Sequence, residues 1–215
     1  EGAIACGSYV SGNNNEYSDI DVHIVLKENN KWRERGNVLI DGHLVEYFAN
    51  PVNVYIKELN EESNGFGNCN TVMFAKGKII DDKCGKVKML QEKAKMQCDY
   101  PARPLTYFEL SSMQYSCWDK LDELSVIYKQ NRDSFYLAYY NLLIKLIDLL
   151  NRVKRYKDIP LTKLDKIIDD KIFRDNYGIN NFYEGYMEIY NGGYEAWKTE
   201  IEAALIELAA MLGGA

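Results

Sequence analysis

Ala3-Ile4-Ala5-Cys6-Gly7-Ser8 and, ten residues on, Ser18-Asp19-Ile20-Asp21-Val22-His23-Ile24-Val25-Leu26 decide how the rest of this chain is read. The first is a short apolar run that ends on a glycine and a serine. In the second, Ile20, Val22, Ile24 and Leu26 alternate with Asp19, Asp21 and His23, the period-two pattern of a half-buried strand. Two strands of one sheet are expected. Ser11-Gly12-Asn13-Asn14-Asn15 between them is rich in residues that tolerate turns and positive φ, so a loop is predicted after a short helical turn begun at Ser8.

Asp19 and Asp21 stand two apart, so on a strand both side chains leave the same face. Paired carboxylates repel and raise each other's pKa unless a cation lies between them, and hard oxygen donors suit Mg²⁺. An isolated Asp-x-Asp is more often a solvated strand end. Upstream, Gly7 permits close approach of the backbone to a ligand, and Ser8 sets a hydroxyl beside free N–H groups at the start of a helical turn. Such a corner accepts phosphate, although Gly-Ser alone is usually only a turn. Downstream, Val38-Leu39-Ile40, Asp41-Gly42 and His43-Leu44-Val45-Glu46-Tyr47-Phe48 read as a hairpin closed by Asp-Gly. Glu46 shares a face with Leu44 and Phe48, and an acid in an apolar strand calls for a reason, a lysine partner at a sheet edge or a ligand.

Helices are expected over Val52 to Glu61 and Lys86 to Gln97, and a second hairpin over Thr71 to Ile80 through Lys76-Gly77. Pro101 and Pro104 then punctuate a change of texture. Tyr107, Leu110, Trp118, Leu121, Leu124 and Tyr128 recur at helical spacing, and Phe135 to Val153 is dense enough in apolar residues for a buried central helix. Further helices are predicted over Leu161 to Ile168, Asn180 to Tyr190 and Tyr194 to Leu212. The expected architecture is α+β, a small mixed sheet domain over 1–100 followed by a helical bundle over 101–215.

At 215 residues with 47% hydrophobic and 27% charged residues, the chain has an ordinary globular composition, which excludes extensive disorder. It shows neither an uninterrupted membrane span nor the layout of a secretory leader, so a soluble, cytoplasmic protein is expected. A net charge of −6 disfavours a protein that grips nucleic acid chiefly through phosphates. The five cysteines include no CxxC pair, so buried free thiols are expected rather than a disulfide framework or zinc knuckle. The 17 tyrosines fit a wet aromatic cleft or an interface, a homodimer among them.

Taken in order, Gly7-Ser8-Tyr9-Val10-Ser11-Gly12, Ser18-Asp19-Ile20-Asp21-Val22 and the later acid Glu46 resemble the nucleotidyltransferase superfamily of DNA polymerase β, and most of all its small bacterial antibiotic-modifying members, of aminoglycoside or lincosamide type. The likeness spans roughly Ala3 to Phe48; beyond it only the general layout of a helical substrate-binding bundle is shared. The resemblance implies that Asp19, Asp21 and Glu46 are catalytic and bind two Mg²⁺, that Gly7 and Ser8 cradle the triphosphate of ATP or another nucleotide, and that an acceptor hydroxyl attacks the α-phosphorus while pyrophosphate leaves. A small-molecule hydroxyl such as that of an aminoglycoside-like antibiotic is the implied acceptor, and the acidic balance fits a cation. The alternatives are an acceptor on RNA or protein, and a nucleotide-binding module without turnover; the intact triad speaks against the latter.

Family members usually carry a helix before the Gly-Ser strand, so an N-terminal piece is expected to lie outside this sequence. No position matches an additional general base by motif; Glu109, Asp119 and Asp148 are the acids considered. Asn141, Lys145, Asp148 and Arg152 form a polar stripe on the central helix, which usually faces water. Its functional reading has Lys145 reaching the triphosphate, as a helical lysine does in similar enzymes. His23 and His43 read most simply as solvated or hydrogen-bonded histidines, and the basic run Arg152, Lys154, Arg155 and Lys157 as a solvated helix end that complements the helix dipole.

Overall fold

The computed structural model describes residues 1–130, 132–158 and 171–177. The helices anticipated over Leu161 to Ile168, Asn180 to Tyr190 and Tyr194 to Leu212 lie outside them. The chain divides into two units, Glu1–Arg103 and Pro104–Ala215.

In the first unit, β1 (Gly2–Cys6), β2 (Ile20–Leu26), β3 (Glu34–Ile40), β4 (His43–Pro51) and β5 (Lys78–Asp82) form one sheet in the order β3-β4-β2-β1-β5. β2 runs parallel to β4, whereas the other neighbours are antiparallel, so the sheet is mixed and the α+β class holds. The turn at Asp41 and Gly42 has positive φ at both residues, 49° and 82°, the backbone of a type I′ hairpin. A two-residue turn fixes the register, pairing Ile40 with His43, Asn37 with Glu46 and Arg35 with Phe48.

Three helices, α2 (Val52–Asn64), α3 (Cys69–Lys76) and α4 (Lys86–Cys98), contribute with β1 and β2 to one core, in which Ile4, Cys6, Val25, Tyr55, Leu59, Phe74 and Leu90 are buried. The covered face of β2 is therefore the one bearing Asp21, His23 and Val25; Ile20, Val22, Ile24 and Leu26, the more apolar set, are only half-buried. The expected second hairpin is instead α3 followed by β5. Tertiary partners reverse the β preference of Thr71-Val72-Met73-Phe74. The Glu62 carboxylate accepts the N–H groups of Asn70 and Thr71 at 2.9 and 2.7 Å, and the Gln91 amide donates to the carbonyls of Phe74 and Gly77 at 3.2 and 2.8 Å. Both ends of the short helix are thus satisfied from outside it.

In the second unit, α5 (Tyr107–Gln130) and α6 (Arg132–Val153) bury Leu121, Leu124, Phe135, Tyr139, Leu142, Leu146 and Leu150 in a separate core. A further helical segment covers Lys171–Tyr177. Tyr107 is exposed rather than part of the apolar stripe expected of α5. No helix among the described residues is long and apolar enough to cross a membrane.

Candidate active site

Asp21 is placed by the sheet. On one side it pairs with Cys6 of β1 and on the other with Glu46 of β4, and adjacent residues in a ladder project from the same face. Asp19 precedes β2, at the end of a loop held by Asn15: the N–H of Tyr17 and the hydroxyl of Ser18 both donate to the Asn15 side-chain carbonyl, at 2.9 and 3.3 Å. One carboxylate oxygen from each of Asp19, Asp21 and Glu46 lies within 4.8 Å of the other two. The structure thus brings together the three acids predicted from sequence, from two strands and a loop.

Gly7 and Ser8 open α1 (Gly7–Ser11), a single turn whose first N–H groups have no side-chain cap. Gly7 has φ +77°, and a Cβ there would stand 2.0 Å from Asp21 Oδ2. The glycine is required twice over, by its backbone and by the carboxylate against it. Gly12, also left-handed, ends the turn.

The electrostatics follow from this crowding. Partial burial of Asp21, then the negative charges of Asp19 and Glu46, push its pKa up from the ordinary carboxylate value. Burial, with a smaller contribution from Asp21, raises the Cys6 thiol to about 12 and keeps it neutral. Three hard oxygen donors that repel one another form a set a divalent hard cation would stabilise, so the residues present fit Mg²⁺.

His23, two residues beyond Asp21, is a core residue. It is 2% exposed, its ring is stacked on Phe48 with centroids 4.9 Å apart, and burial lowers its pKa to about 4. Tyr55 donates its hydroxyl to the Phe48 carbonyl at 2.7 Å, so the neutral imidazole gives its Nδ1–H to the Tyr55 oxygen at 3.2 Å. His43 lies 3.5 Å from the Tyr9 hydroxyl.

The remaining candidates belong to the second unit, and most have local partners. Lys145 is exposed on α6, with Nζ 3.3 Å from the Ser116 hydroxyl. Asp148 accepts from Arg152 at 2.8 Å, and Asn141 donates to the Leu137 carbonyl at 3.1 Å. Glu109 closes a capping box at the start of α5, accepting from the Thr106 N–H and hydroxyl at 2.8 Å each. Asp119 is exposed.

Sequence reasoning missed Arg35. Its Nε and Nη2 donate to Glu46 Oε1 at 3.1 and 2.7 Å, and its guanidinium carbon lies 4.7 Å from the centre of the Phe48 ring. The signal was present: a two-residue turn at Asp41-Gly42 makes Arg35 the diagonal neighbour of Glu46 on the same face.

The Gly-Ser corner and the three converging acids lie together on the mixed sheet. Residues 1–80 match the family model described as "Nucleotidyltransferase domain", which supports the nucleotidyltransferase superfamily for this part of the chain. Among solved structures, the fold resembles a nucleotidyltransferase-like protein from Exiguobacterium sibiricum, with a TM-score of 0.50 at 12% identity over 99% of this chain and 68% of that one. No curated protein sequence matches the chain.

Proposed function

We propose that this nucleotidyltransferase moves a nucleoside monophosphate, AMP from ATP in the first instance, onto a hydroxyl of a small cationic molecule of the aminoglycoside type. The observation that carries the reading is the approach of Asp19, Asp21 and Glu46 to within 4.8 Å beside the Gly7-Ser8 corner. Two bound Mg²⁺ would supply charge neutralisation of the triphosphate and acidification of the acceptor hydroxyl. Asp19 and Asp21, with Glu46, would hold them. Gly7 and Ser8 receive the β- and γ-phosphates through the uncapped N–H groups of α1 and the Ser8 hydroxyl. Lys145 is the further nucleotide-binding candidate that the resemblance implies; its Nζ donates to a neutral hydroxyl, that of Ser116.

In this reaction the acceptor oxygen bonds to the α-phosphorus as the bridge to the β-phosphate breaks, pyrophosphate departs with the electron pair, and the hydroxyl proton passes to solvent. Most of the acceleration comes from holding the reactants in line and neutralising charge. The net charge of −6 favours cationic acceptors over nucleic acid. The test incubates the chain with Mg²⁺ and each α-labelled nucleoside triphosphate, against a panel of aminoglycosides, tRNA and bulk protein. Label on an aminoglycoside is expected. Label on tRNA or protein would move the acceptor to a macromolecule, and nucleotide binding without any transfer would reduce the chain to a binding module.

A further inference from the structure

We propose that Arg35 is a positioning residue, which holds Glu46 by one oxygen and turns the other toward Asp19 and Asp21; the inference rests on the reading of these acids as a divalent-cation site. Both guanidinium bonds fall on Oε1, and Oε2 accepts no hydrogen bond among the described residues. An arginine that forked across both oxygens would compete with a metal for the carboxylate. One that takes a single oxygen leaves the other as a ligand and removes a rotational freedom that a free glutamate must lose on binding.

The guanidinium is itself placed from below. It stands over Phe48, whose ring is stacked on the buried His23, so the platform under Arg35 is backed by a buried side chain. Glu46 is hydrogen-bonded to Arg35 and is the ladder partner of Asp21. Stability is a weak reason for the contact. The Arg35 side chain is 69% exposed and that of Glu46 19%, and an ion pair with one partner this open to water adds little to folding. A lysine at 35 would keep the charge but lose the planar fork that allows two bonds to one oxygen.

The test measures binding of Mn²⁺ alone, as a Mg²⁺ surrogate, by electron paramagnetic resonance on the full chain, alongside the melting temperature. The variants are Asp21→Asn, Arg35→Lys and Arg35→Ala. Wild type should bind, and Asp21→Asn should lose most of the affinity. Arg35→Lys should weaken binding about threefold to tenfold while Tm moves by less than about 2 °C, because orientation is lost and charge is kept. Arg35→Ala should also bind more weakly than wild type, despite shedding a repulsive charge. Unchanged affinity in Arg35→Lys, or tighter binding in Arg35→Ala with no loss in Arg35→Lys, would overturn the inference and leave the metal site standing. Failure of wild type to bind, with Asp21→Asn indistinguishable from it, would overturn the metal site and the inference with it.

Discussion

Asp21 and His23 occupy the same face of the same strand, about 7 Å apart along it, yet they meet opposite environments. His23 is enclosed by Phe48, Tyr55 and Phe74, and burial alone lowers its pKa to about 4. Asp21 is only half-buried, and burial together with two neighbouring acids raises its pKa. Core and site are consecutive stations on one strand. The rigid part supplies the geometry, and the step out of it supplies the unbalanced charge that a ligand can relieve. This contrast can be attacked from either residue.

The largest effect is expected at Asp21. Asp21→Asn removes a charge and almost no volume, so transfer should fall by about a thousandfold or more, roughly 4 kcal/mol of barrier, with an unchanged circular dichroism spectrum. Turnover near wild type would dismiss Asp21 from the site. Gly7→Ala comes next. Its methyl would lie 2.0 Å from Asp21 Oδ2 on a backbone at φ +77°, so the carboxylate must move and the turn is strained by about 1–2 kcal/mol. Activity should drop about a hundredfold, and the melting temperature by several degrees.

The third test uses pH, in buffer with EDTA. The folded pKa of His23 is depressed from 6.5 to about 4, so its neutral form favours the fold. Its contribution is complete above pH 6.5, declines as pH falls toward 4, and amounts to about 3 kcal/mol of lost stability by then. Asp21 acts with the opposite sign. Its folded pKa is raised, so protonation relieves the folded state as pH falls. Urea unfolding at pH 7 and pH 4 should therefore show a larger acid loss in Asp21→Asn than in wild type. An equal or smaller loss would contradict the opposed environments of the two residues.

What could be read beforehand follows the range of the forces involved. Gly7-Ser8, Asp19-x-Asp21 and Asp41-Gly42 act through local backbone geometry, and the type I′ turn and the converging acids are where their spacing places them. Arg35 was within reach by counting back from the turn, but only if β3 is known to begin at Glu34 rather than at Val38. The helix α3 was not, because the groups that complete it, Glu62 and Gln91, lie on other helices. Nor was the covered face of β2. Alternation says that one face is buried, and the more apolar set was the natural choice; three helices packing on the other face decide the matter.

That reversal yields the smallest but most direct contrast. Val25 lies on the covered face with 0% exposure, packed in the core with Ile4, Leu59 and Val87, whereas Val22 on the opposite face is half-buried. Valine to threonine keeps the shape and adds a hydroxyl, so its cost reports how dry each position is. At Val25 the hydroxyl enters an apolar environment, and the substitution should cost about 2 kcal/mol. At Val22 water is nearer, and the cost should stay below about 1 kcal/mol. Because strand register and backbone are common to both, the difference between the two denaturation midpoints isolates the face. Equal costs, or a larger one at Val22, would mean that the strand buries its more apolar side after all, and Asp21 would then no longer project from the face that leads out of the core.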